Sequence, residues 1–340
     1  MRGFGPKGPA PSNIFAVIRE LPGHYAGLVS ARGLFLFLAV GIIWGTPYFF
    51  IALALEGFST PSIVWIRVTL GALVLLPIAI ARGALKPALK AWPWVLGFAV
   101  FEMVFPWWFI IEAERSISSS LAGLLITTVP FVAALTLGLM GERAAWHPKV
   151  ILGLVLGFSG VVALVGIDAF AGHIELLPVL MMLGAAVGYA LAPIMVDRNL
   201  KEVPTLGVIT VSLTMVSVVY AIPALSVLPA EIQASPPASS VISVVYLGLV
   251  ASAAAFILFF SLIKEIGPGR ATLITYVNVV VAFLLGVIFL NEPLTIGFLV
   301  GFPLIVAGSF LASRSREEYI PKKKRVVTEA TGEIGLPEHL

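Results

Sequence analysis

Apolar residues run through this chain in long unbroken stretches, and polar residues are confined to the short gaps between them. We read the stretches as 33–55, 61–81, 92–112, 119–139, 149–166, 175–196, 204–228, 239–263, 268–290 and 295–312. Each is close to the ~20 residues that an α-helix needs to cross ~30 Å of hydrocarbon. The pattern predicts an all-α integral membrane protein with ten transmembrane helices.

Charge supports the same reading. With both termini cytoplasmic, 19 of the 21 Lys and Arg fall in the tails and loops of that side, Arg115 alone lies outside and Arg67 lies within a span. Nine or eleven spans would not reproduce this bias from the same loops. The expected location is the cell (plasma or inner) membrane, multi-pass, with both termini inside.

Hydrophobic residues make up 59% of the chain and charged residues 11%, against about 25% charged in soluble domains. The net charge of +3 belongs to this orientation signal and not to a nucleic-acid surface, so no nucleic-acid partner is expected. Cys is absent, which removes disulfides, thiolate catalysis and Cys-based metal sites. The four His (His24, His147, His173 and His339) lie outside the spans or at their ends, so neither an intramembrane enzyme nor a metal or cofactor is expected. Residues 1–30 hold no apolar core of a cleavable leader, and Lys322–Arg325 is a basic run at the cytoplasmic surface.

The two halves repeat. Pro47 and Pro193 stand 146 residues apart, as do Pro77 and Pro223, while Gly97/Gly248 and Glu142/Glu292 recur at 151 and 150. Gly153 with Gly160 recurs as Gly301 with Gly308 at 148. Five spans per repeat place the second copy upside down, an arrangement associated with alternating access. The expected organisation is a cytoplasmic segment 1–32, a first repeat 33–166, an inverted second repeat 175–312 and a polar tail 313–340.

Trp44-Gly45 before the first kink, Arg67 early in the second span, Gly141-Glu142-Arg143 ahead of Gly153 and Gly160, and Asn291-Glu292-Pro293 ahead of Gly301 and Gly308 occur in a telling order. With them, the chain resembles the drug/metabolite transporter superfamily, specifically its EamA-type ten-span members, over nearly all of residues 33–312. The resemblance implies export or exchange of small metabolites such as amino acids, with multidrug efflux by proton antiport as the alternative.

Two ionisable residues stand well inside spans, and each is costly there unless it faces protein or water. Arg67 and Glu102 lie about 9 and 15 Å from their span ends at ~1.5 Å per residue. They either pair with one another or serve substrate and coupling. Glu102, expected on one face with Phe98, Phe105 and Phe109, is the candidate proton carrier. Trp44, Tyr48, Trp65 and Tyr189 are candidates for an aromatic pocket, and Thr127, Thr128 and Asn278 for further substrate contacts. Trp92, Trp94, Trp107, Trp108 and Trp146 read as an interfacial belt. Pro47, Pro106, Pro130 and Pro193 are candidate hinges, each freeing a carbonyl one turn back, Ile43 for Pro47. Glycine pairs such as Gly153/Gly157 and Gly297/Gly301 predict close helix packing and leave room for a homodimer contact at the last span.

Overall fold

The computed structural model describes residues 30–170, 175–267, 271 and 273–318, and among these the chain forms helices without strands. The segment 1–29 and the basic run Lys322–Arg325 lie outside the described residues. Eight helices are long and apolar enough to cross a membrane: α1 (Ala31–Leu55), α2 (Thr60–Ala81), α3 (Trp92–Ala113), α4 (Ser119–Leu139), α5 (Pro148–Ile167), α6 (Leu176–Asn199), α7 (Thr205–Gln233) and α8 (Ala238–Ile266). Two shorter apolar helices follow, α9 (Ile274–Phe289) and α10 (Ile296–Ala312).

Several of these helices are interrupted at their middles, where local chemistry disfavours a continuous α-ladder. α1 breaks at Thr46, ahead of Pro47. The proline removes the donor for Ile43, but the Thr46 hydroxyl donates to that carbonyl at 2.7 Å. The expected free ligand is therefore already satisfied. α4 breaks at Thr127 and Thr128, whose hydroxyls donate to Leu124 and Leu125 just before Pro130. α3 widens into a π-helical stretch, Val100–Val104, directly before Pro106. α8 carries a matching stretch, Leu249–Ala254, without a proline. Wide turns of this kind leave carbonyls and hydroxyls free to bond sideways and recur at functional sites.

The main helix pairings join the first half of the chain to the second. α5 lies along α10, α2 along α7 and α3 along α6, while α1 sits between α8 and α9. Glycine sets the closeness of two of these pairs. A Cβ on Gly308 would approach Gly157 N to 2.4 Å, and one on Gly153 would approach Gly308 O to 2.7 Å. Gly301 is likewise covered, 2.8 Å from Gly160 O to its would-be Cβ. This face of α10 is occupied by the chain's own α5. Gly45 of the Trp-Gly pair brings α1 against Asn278 O, 2.7 Å from the would-be Cβ.

The turns before Glu142 and Glu292 share one backbone feature: Gly141 and Asn291 both adopt positive φ, 92° and 53°. Each swings the following glutamate off its helix axis, and the duplicated Gly/Asn-Glu pattern thus has a conformational basis.

Candidate functional site

The centre of the bundle is organised around Arg67. Its side chain is 7% exposed, the guanidinium carbon lies 3.7 Å above the Trp107 ring, and Nε donates to Ser252 Oγ at 3.0 Å. Trp107 comes from α3 of the first half and Ser252 from the π-helical stretch of α8 in the second. Ser252 donates its own proton to Leu247 O, five residues back, which turns an oxygen lone pair toward Arg67. In the same stretch the Ala251 carbonyl accepts from the Trp44 indole at 3.1 Å. One widened turn therefore holds two side chains from the other half.

No carboxylate of the described residues stands within 4 Å of Arg67; the ion pair recorded among them joins Arg115 to Glu112. The Arg67–Glu102 pairing is therefore not made. A guanidinium stacked on an aromatic face gains cation–π attraction but keeps most of its five donors for another acceptor.

Tyr48, Tyr189 and Glu114 are within electrostatic reach of Arg67, and Tyr189 also faces Glu102. Tyr48 is buried, and the would-be Cβ of Gly123 in α4 lies 3.4 Å from its ring. Glu102 is half-buried in the π-helical stretch of α3 and makes no hydrogen bond or ion pair among the described residues. The extra residue in that stretch rotates the register of the helix. Phe98 is 6% exposed but Phe105 is 51% exposed, so the expected collar of three phenylalanines around Glu102 is broken.

The remaining candidates take other partners. Trp44 packs against Phe256 and Phe259 of α8, and Trp65 lies half-buried against the core. Thr127 and Thr128 are buried with their hydroxyl protons turned back on α4. The Asn278 amide, oriented by its neighbours, donates to Ile274 O and, across to α1, to Gly41 O. Pro193 lies inside a continuous α6.

Trp107 does not belong to the interfacial belt. It is 4% exposed, against 54%, 47% and 48% for Trp92, Trp94 and Trp146, because its indole is the floor beneath Arg67. Sequence reasoning also missed Ser252 and Glu114. The available signal for Glu114 was its spacing: it follows Trp107 by seven residues, two helical turns along one face.

At the acidic end of the bundle, formed by the α1–α2, α3–α4, α7–α8 and α9–α10 connections, carboxylates tie the halves together. Glu292 accepts from Ser119 N at 2.6 Å, from Ser120 N at 3.0 Å and from the Ser120 hydroxyl. It thereby caps the N-terminus of α4 from the opposite half, the helix end where a negative charge is favoured. Gly286 makes room for it, since a Cβ there would meet both Glu292 Oε2 and Ser120 Oγ at 2.2 Å. Glu231 accepts from Ser59 N at 2.9 Å, a second tie between the halves, while Glu112 accepts from the Thr60 hydroxyl at 2.5 Å within the first half.

Comparison with known proteins identifies the context of this site. The chain is 26% identical over 298 residues to the uncharacterized transporter YvbV of Bacillus subtilis (strain 168), covering 87% of this chain and 94% of that protein. It is 24% identical over 256 residues to the uncharacterized inner membrane transporter YedA of Escherichia coli (strain K12), covering 73% and 79%. It is 24% identical over 284 residues to a probable terminal-alkyne amino-acid exporter of Streptantibioticus cattleyicolor, covering 80% and 90%. A solved crystal structure 22% identical to it, with a TM-score of 0.58 over 85% of this chain and 99% of its own, shares the fold. The EamA-like transporter family model matches twice, over residues 31–166 and 176–314. With both halves matched, the chain is a multi-pass membrane protein that belongs to the EamA-like transporter family.

Proposed function

We propose that this protein is a secondary transporter that exports or exchanges compact carboxylate-bearing metabolites, amino acids foremost, by alternating access at the Arg67 site. The observation that carries this reading is a buried guanidinium, at the junction of the two halves, with no carboxylate partner among the described residues. Evolving such a group is costly unless it meets an anion during the working cycle, and a planar fork of donors suits a carboxylate. The relative described as a probable amino-acid exporter points the same way.

In this reading the two matched stretches are inverted five-helix repeats, the ten apolar helices all span, and the acidic end faces outside with both termini cytoplasmic. The ties of Glu292 and Glu231 between the halves close that end, and the substrate leaves when they part. Glu102, a half-buried carboxylate without a partner among the described residues, is the proton carrier if transport is proton-driven.

Proteoliposomes loaded with a labelled amino-acid panel test this. Wild-type vesicles exchange at least one amino acid, and Arg67→Ala vesicles, with the protein still monodisperse and helical, lose that exchange by at least about a hundredfold. Undiminished exchange by the folded variant removes Arg67 from the substrate path and overturns the proposal.

A further inference from the structure

Glu114 is a buried acid that no described residue satisfies. It is 8% exposed, and neither carboxylate oxygen has a hydrogen-bond partner among the described residues. It follows the last residue of α3 as the C-cap, where the helix presents its negative end. The nearest cation in sequence, Arg115, is committed to Glu112 at 3.1 Å. The groups that face it from packed elements are Glu292 from the α9–α10 turn, Arg67 from α2 and Tyr48 from α1.

The contrast with Glu292 is informative. Two acids face one another at the same end of the bundle. One sits on a helix N-terminus with both oxygens saturated; the other sits on a helix C-terminus with none. Local potential at Glu114 is thus negative from two sources, the neighbouring carboxylate and the helix end, and favours an incoming cation. Arg67, two helical turns away at the level of Trp107, favours an anion. Seven residues of helix separate Trp107 from Glu114, about 10 Å along the axis. A small molecule that offers an anionic group to Arg67 and a cationic one to Glu114 answers both.

We propose that Glu114 is the ammonium-recognising residue of the transport site, so that Arg67 and Glu114 together select a zwitterion carrying a carboxylate and an amine on neighbouring carbons. This rests on the carboxylate reading of Arg67 given above and adds the second anchor. In the absence of that ligand the surroundings favour the protonated acid: burial pushes the Glu114 carboxyl well above the usual carboxylate range, Glu292 adds to the push and Arg67 opposes it. Arrival of an ammonium group replaces the bound proton, and that proton leaves to water as the ion pair forms.

The test compares an amino acid that stabilises the purified protein with its deaminated acid, for instance phenylalanine with 3-phenylpropionate, by apparent Kd from thermal shifts in detergent. Wild type favours the amino acid by about tenfold or more. In Glu114→Gln, which is isosteric and breaks no hydrogen bond of this structure, the preference collapses to about onefold while the deaminated acid still binds. Glu114→Asp, keeping the charge, restores part of the preference and excludes a merely misfolded site. A preference retained in Glu114→Gln overturns the assignment while leaving Arg67 as the carboxylate anchor. Binding of neither compound class by wild type overturns the carboxylate reading, and this inference with it.

Discussion

Glu292→Ala tests whether one acid holds the acidic end shut. In the closed structure it leaves the backbone N–H groups of Ser119 and Ser120 buried without acceptors, and the Ser120 hydroxyl loses its bond to the carboxylate. Each unsatisfied buried group costs about 1–3 kcal/mol, whereas in an open state water replaces the lost acceptor. Removing the desolvated carboxylate itself offsets part of this, so a net shift of about 3 kcal/mol toward opening is expected. That corresponds to about a hundredfold in the open population. The chain contains no Cys, so a single reporter suffices. Ser119 is 2% exposed and its hydroxyl makes no hydrogen bond, which makes Ser119→Cys a near-isosteric probe inside the tie. In nanodiscs, a bulky maleimide labels that cysteine about a hundred times faster with Glu292→Ala than with Glu292 intact. Equal labelling rates in the two backgrounds would show that the capping bonds do not set the closed population, and the latch would have to lie elsewhere.

Other outcomes follow from the same geometry. Because the Glu114 carboxyl is held protonated above its usual range, the native protein binds more protons than the unfolded chain, and stability falls as pH rises. Glu114→Gln therefore melts at the same temperature as wild type below about pH 4 and increasingly higher toward alkaline pH; parallel curves would exclude a buried unpaired acid. Glu102→Gln abolishes the pH dependence of reconstituted transport while leaving ligand-induced stabilisation within about twofold, checked by uptake at several pH values; unchanged proton-driven uptake removes Glu102 from coupling. Gly308→Ala forces a Cβ against the Gly157 backbone at 2.4 Å and costs about 1–3 kcal/mol, read as a lower melting temperature; a neutral effect would mean that α5 and α10 are looser than described.

Much of the scaffold was legible in the chain because membrane spans advertise themselves by length and by the exclusion of charge. Ser119–Leu139 falls where its apolar run places it, and the breaks near Pro47 and Pro130 follow from missing donors. Arg67 stood out for the same reason, a charge where water is absent. What could not be read was who meets whom. Trp107 looks like any tryptophan near a polar boundary until α2 is laid across it. Ser252 lies in a π-helical stretch that no proline marks, so its hydroxyl gives no local sign of facing an arginine 185 residues away. Glu114 sits at a span end where acids are ordinarily solvated, and only the packing of α1, α2 and the α9–α10 turn makes it dry. Glu102 shows the converse case, since a helical wheel drawn at constant pitch misplaces Phe105 once one turn is widened.

The crossing of α5 and α10 constrains how the molecule moves. Gly153, Gly157, Gly160, Gly301 and Gly308 let two backbones touch, so sliding one helix past the other by even an ångström drives carbonyls into neighbouring main chain. Since α5 closes the first half and α10 the second, the halves cannot shear as two free shells. This pair acts as a riveted post, and in the proposed alternating-access cycle the swing that exposes Arg67 to one side or the other is left to the eight helices that turn about it.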